Sequence, residues 1–120
     1  LPGRMLLIKS LNDFTAQLPL VALSDRKPKA LGKNTKDAIL SGTDLAILGS
    51  VKEIISRIKF EINVKKCTVT ATGGDAGFFI RNIKGLKSGG GDLTLLGIAA
   101  CWDAEINSKL QNPRSKQNSK

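Results

Sequence analysis

Histidine and tyrosine are absent from this 120-residue chain. Without an imidazole, no catalytic triad that uses histidine as its base can be assembled. The two cysteines, Cys67 and Cys101, lie far apart and form no CxxC pair, so a zinc site of the usual Cys/His kind is excluded as a working idea. Both thiols are expected to sit in packed apolar surface in a reducing compartment. Four Phe and one Trp leave few surfaces on which nucleobases could stack. No apolar run approaches the length needed to span a bilayer. Arg4 and Lys9 interrupt the first apolar stretch, which does not read as a signal peptide. Together these absences predict a soluble, cytoplasmic protein.

The length suits one domain or a large piece of one, and an apolar share of 41% can furnish a core without staples. The formal net charge is +9, which points to an anionic small ligand, an anionic surface or nucleic acid. Part of that excess is local: Lys109, Arg114, Lys116 and Lys120 follow the last acid, Glu105. The chain is therefore divided into a domain over residues 1–108 and a basic, disordered tail over 109–120.

Periodicity predicts four helices and one strand. Leu7, Ile8, Leu11, Phe14 and Leu18 form one face of a helix that Pro19 ends. Leu20–Leu23 reads as a small strand or a packed extended stretch, and the basic stretch that follows, with Arg26, Lys27, Lys29 and Lys33, as a solvated loop. Asn34 caps a long helix, with Asp37 near its positive end. Its inward stripe is expected at Ala38, Gly42, Leu45, Gly49, Ile55, Ile58 and Ile62, and Gly42, Ala46 and Gly49 suggest close approach of another backbone. Cys67–Ala71 alternates apolar residues with threonine and reads as a strand. Thr72-Gly73-Gly74 follows it. A helix then starts near Asp75, with Ala76, Phe79, Ile80 and Ile83 on one face. After the Gly89–Gly91 loop, Asp92 or Thr94 caps a last helix carrying Leu95, Ile98, Ala99, Trp102 and Ile106. A lone strand cannot satisfy its own backbone, so the sheet is expected to be unfinished.

Three short patterns bear on chemistry. Gly3–Ser10 resembles a Walker A loop but has Ile8 where a glycine is needed, and its helical period argues against it. Thr72-Gly73-Gly74, between strand and helix, lets backbone approach a flat or anionic ligand. Asp75 disfavours phosphate there and makes adenosine the better guess, although such a junction is more often only a tight turn. Gly32-Lys33-Asn34-Thr35 opens the long helix and could bind a carboxylate or hydroxyl; the plainer reading is a cap in a basic loop.

In order and spacing, these segments resemble the type III pantothenate kinases of the actin-like ATPase superfamily. Pro2-Gly3, Leu11, Thr15-Ala16 and Leu18-Pro19 are similar to the family's P-G helix ending in T-A-x-L-P. Gly32, Asn34-Thr35, Ala38-Ile39 and Ser41-Gly42 are similar to its G-x-x-T-x-x-A-I-x-S-G stretch, Thr72-Gly73-Gly74 to its T-G-G adenosine motif, and Leu93, Leu95 and Gly97 to its closing helix. The resemblance implies an α/β fold: an incomplete ribonuclease H-like domain, helix-dominated, with one strand and with the domain's first strands missing. It implies ATP-dependent phosphorylation of pantothenate, the first step of coenzyme A biosynthesis, using Mg²⁺ and a monovalent cation (K⁺ or NH₄⁺). It implies a homodimer, or a partner supplying the missing N-terminal half. Thr35 falls on the substrate-contacting threonine, and Thr72, Gly73 and Gly74 fall on the nucleotide-contacting motif. The family's D-x-G-N-T phosphate loop and its G-A-D-R motif, which carries the general base, have no counterpart in this sequence. The expectation is therefore a C-terminal part with no catalytic residue of its own, inactive alone. Two other readings are a non-catalytic partner that dimerises with a full-length kinase and a small basic nucleic-acid-binding protein.

Overall fold

The computed structural model describes residues 1–111. Two compact units are present, the first spanning Leu1–Ser88 and the second beginning at Gly89.

In the first unit, helix α1 covers Arg4–Asp13. It stops well before Pro19 because polar side chains capture the backbone beyond it. The Asn12 Nδ2 donates to the Leu18 carbonyl at 2.7 Å, and the Leu18 amide donates to the Thr15 Oγ1 at 3.3 Å. The expected helix is thus shortened, and Phe14, placed on its apolar face by periodicity, is 87% exposed. Residues 20–23 form no strand: Val21 is buried there, while Leu20, Ala22 and Leu23 are exposed. Arg26, Lys27, Lys29 and Lys33 are exposed, as a solvated loop requires.

Helix α2 covers Thr35–Glu61. Asn34 caps it as expected: its side chain accepts from the Asp37 amide at 2.9 Å. Asn63 ends it in the left-handed region, φ 52°, and the Val64 amide closes back onto the Lys59 carbonyl at 3.0 Å. The buried face differs from the expected stripe. Ile39, Ser41, Thr43, Asp44, Ile47 and Leu48 are buried, whereas Leu45, Ile58 and Ile62 are exposed. No backbone approaches the glycines either, since a Cβ on Gly42 or Gly49 would meet nothing within 4 Å.

Strand β1, Val69–Ala71, pairs in parallel with strand β2, Leu86–Ser88, in the register Val69↔Leu86, Thr70↔Lys87, Ala71↔Ser88. The crossover between them carries helix α3, Ala76–Asn82, as a parallel pair demands. One strand was expected and two are found among the described residues. β2 is three residues long, sits just after Gly85 at φ +86° and carries no alternation that periodicity could detect.

Two apolar clusters hold the unit together. Ile8, Val21 and Ile39 join α1, residues 20–23 and the start of α2. Ile47, Leu48, Phe78 and Ile83 join the middle of α2 to α3, with Leu86 of β2 packed alongside. Each such side chain contributes about 1.5–3 kcal/mol on burial. This helix-dominated arrangement with a small parallel sheet is consistent with an incomplete α/β domain of the ribonuclease H-like kind.

In the second unit, helix α4 covers Leu93–Gln111. The Leu96 amide donates to the Asp92 carbonyl at 2.8 Å, which puts Asp92 at the cap position. Leu95, Ile98 and Trp102 are exposed. Tail residues 112–120 lie outside the described residues. Both thiols, expected to be packed away, are exposed: neither Cys67 nor Cys101 lies in a core or a disulfide.

Candidate functional site

The Thr72-Gly73-Gly74 segment leaves β1 and turns into α3, as its sequence predicts. Gly73 takes φ +95°, a conformation that L side chains rarely adopt, and its carbonyl accepts from the Ala76 amide at 3.1 Å. All three residues are exposed. Gly74 lines a cleft of about 270 Å³, with Arg4, Asp25, Asp75, Phe78 and Arg81 on its walls. The cleft is ringed by opposed charges. The Arg81 guanidinium pairs with the Asp25 carboxylate at 2.7 Å on its exposed rim, and Arg4 forms the buried wall.

Arg4 is the residue that periodicity overlooked. It is 2% exposed, as is Asp44 on α2. The Arg4 Nε donates to Asp44 Oδ1 at 2.8 Å and its Nη2 to Asp44 Oδ2 at 3.2 Å, a two-pronged ion pair. Nη2 also donates to the Ser24 carbonyl at 2.8 Å. Nη1 lies 3.7 Å from the Asp75 Oδ1, and the Arg4 amide donates to Asp75 Oδ2 at 3.3 Å. The guanidinium carbon sits 3.7 Å from the centre of the Phe78 ring, within range of a cation–π attraction. One residue of α1 thus ties together the loop at Ser24, helix α2 and the start of α3. The available signal was two opposite charges, Arg4 and Asp44, each standing directly before an apolar run.

Thr35 is the first residue of α2 and is exposed. It lines a different depression, an apolar groove of about 490 Å³ between α1 and α2 that also touches Leu11, Leu18, Ala38 and Gly42. The glycine before it has a packing role. A Cβ on Gly32 would lie 2.4 Å from the Ala38 nitrogen, so Gly32 lets the basic loop fold against the first turn of α2. Thr35 and Gly74 are therefore held by one unit but line separate hollows.

Among the described residues no group of three or more His, Cys, Asp or Glu comes together. Of the two carboxylates that line the cleft, Asp75 is turned to Arg4 and Asp25 to Arg81. Among the described residues, too, no helix is long and apolar enough to cross a membrane.

Comparison with known proteins gives these positions a context. The sequence profile of the type III pantothenate kinases matches residues 1–57, which hold α1 and most of α2. The chain is 37% identical over 106 residues to a type III pantothenate kinase of Endomicrobium trichonymphae, covering 88% of this chain and 39% of that protein. It is 34% identical over 106 residues to the one from Rubrobacter xylanophilus, covering 85% of this chain and 40% of that protein. Against the one from Legionella pneumophila it is 39% identical over 80 residues, 66% of this chain. The chain thus spans about two fifths of the length of the first two relatives. A match that covers 88% of a 120-residue chain includes both Thr35 and the Thr72–Gly74 turn.

Proposed function

We propose that this chain is the C-terminal part of a type III pantothenate kinase, with residues 1–108 as the kinase-like part and 109–120 as a basic tail. In this reading Thr72, Gly73 and Gly74 hold the nucleotide and Thr35 contacts pantothenate. The observation that carries the proposal is the exposed strand-Gly-Gly-helix turn at the edge of a cleft, on a chain similar along most of its length to type III pantothenate kinases. The reaction is transfer of the γ-phosphoryl group of ATP to pantothenate, in a site whose Mg²⁺ comes with the nucleotide and whose monovalent cation is held elsewhere in the kinase. Phosphoryl transfer depends on positioning and on charge stabilisation at the phosphates. This chain supplies the adenosine side and one substrate contact, so its turnover alone is negligible, and a homodimer or the rest of the kinase completes the site.

The test is equilibrium binding of ATP to the chain, wild type against Gly74→Val. A Cβ at Gly74 meets nothing within 4 Å, so the variant adds bulk at the cleft wall without crowding the fold. Loss of affinity of at least tenfold in G74V supports the reading, and equal affinity overturns it. A coupled ATP-consumption assay with pantothenate checks the second half: turnover at a normal kinase rate would refute inactivity. A second reading, a non-catalytic partner of a full-length kinase, is supported by the open apolar groove between α1 and α2. Mixing the two proteins and weighing the complex by native mass spectrometry tests it, and the absence of a mixed species counts against it.

A further inference from the structure

We infer that Arg4 is the positioning residue of the Gly73–Gly74 turn, and that through it the turn is coupled to helix α2. The inference takes from the proposed function only the identity of what is positioned; the contacts themselves stand without it.

Three features separate this role from that of a buried ion pair that merely fills space. First, Asp75 is gripped twice by one residue, by the Arg4 amide at 3.3 Å and by Nη1 at 3.7 Å. Second, Asp75 makes no side-chain capping bond to α3, so its carboxylate is turned to Arg4 and not to its own helix. Third, the guanidinium fork spans what an ammonium cannot. It reaches Asp44, the Ser24 carbonyl and Asp75 from separate nitrogens while its face rests on Phe78. Asp75 follows Gly74 directly, and the Ala76 amide closes the turn onto the Gly73 carbonyl at 3.1 Å. Holding Asp75 therefore holds the turn, and Asp44 on α2 sets where Arg4 can reach.

Exposure separates the two ends of the clamp energetically. The Asp44 side chain is 3% exposed and the Asp75 side chain 31%. Releasing Asp75 frees a carboxylate that water can reach, while the Arg4–Asp44 pair stays whole. Asp75→Asn thus loosens the turn and leaves the core intact. Arg4→Lys keeps a charge opposite Asp44 but abandons the span to Asp75.

The experiment is residue-resolved amide hydrogen exchange on the full chain without ligand, comparing wild type, D75N and R4K. The reporter is the Ala76 amide, which closes the turn; the references are the Ile47 and Leu48 amides in the buried part of α2. In D75N, Ala76 exchange should accelerate about tenfold while Ile47 and Leu48 change less than twofold, and R4K should reproduce the acceleration at Ala76. Unchanged Ala76 exchange in D75N overturns the inference. So does acceleration of Ile47 and Leu48 in step with Ala76, which would make the clamp ordinary scaffolding. ATP titration of the same samples keeps the two ideas apart. Faster Ala76 exchange with no ATP binding to the wild type would sink the nucleotide reading and leave the clamp standing; ATP binding with Ala76 unmoved would do the reverse.

Discussion

Removing Arg4 should cost far more than removing an average side chain, and removing Asp44 with it should restore much of the loss. In Arg4→Met the Asp44 carboxylate keeps its burial and loses its counter-charge. Breaking a buried pair from one side costs about 3–5 kcal/mol, because the remaining charge stays out of water. The Ser24 carbonyl also loses its donor, worth about 1 kcal/mol. The double variant R4M/D44L has no charge to strand. Replacing a buried pair by apolar groups of similar size is often neutral or stabilising. What remains lost is the Ser24 bond and the anchor on Asp75, together about 1–2 kcal/mol. The double variant should therefore be the more stable of the two by at least about 2 kcal/mol. Urea unfolding followed by far-ultraviolet circular dichroism reads this directly. With a slope of about 1–3 kcal/mol/M, a loss of about 4–6 kcal/mol lowers the R4M midpoint by roughly 1–6 M, and the double variant recovers most of it. An R4M cost under about 1 kcal/mol, or a double variant that loses the sum of both singles, would refute the reasoning.

Five further substitutions separate packing from propensity. Gly32→Ala should destabilise by about 1–3 kcal/mol, since its methyl meets the α2 backbone; Gly42→Ala, with open space around it, should instead stabilise by about 0.5–1 kcal/mol. Both are measured by thermal melts, and a stable G32A would show that the basic loop can shift aside. Asn34→Ala should cost about 1 kcal/mol through loss of the bond to the Asp37 amide, read as a fall in melting temperature. Ile8→Ala, at a fully buried position, should cost about 2–5 kcal/mol, whereas Phe14→Ala should stay within about 0.5 kcal/mol of wild type. Equal effects from that last pair would mean that Phe14 is covered in solution.

Local chemistry was legible wherever the chain neighbours itself. Asn34 and Asp37 announce the start of α2 because a cap is decided within four residues. The β-branched run before two glycines announces β1 and its turn for the same reason. What failed was anything set by partners far along the chain. The thiols were assigned to apolar surface from residue type alone, and Cys67 and Cys101 are exposed. Strand β2 exists because β1 offers it an edge, and three residues of Leu-Lys-Ser do not state that themselves. Of the site, the turn could be read from sequence; the groove around Thr35 could not, because it needs α1 and α2 laid side by side.

The rotated face of α2 has the same origin as the hidden clamp. Reading an inward stripe from Ala38, Gly42, Leu45 and Gly49 treats Asp44 as a solvent marker, since charged residues are almost never fully buried unless paired. The pairing is the exception, and its partner lies forty positions away on another helix. With Asp44 drawn inward by Arg4, the buried positions flank the expected stripe, Ser41, Asp44 and Leu48 one residue before it and Ile39 and Thr43 one after, so at about 100° per residue the helix is turned to its opposite side, and Ile47 and Leu48 meet Phe78 and Ile83 in place of the glycine side. The same turn leaves Gly42 and Ala46 facing the open groove beside Thr35. A single long-range charge pair thus sets which side of α2 becomes core and which remains available to a ligand or a partner. That choice is what the R4M/D44L variant would preserve if apolar packing can replace the charges, and what R4M alone would lose.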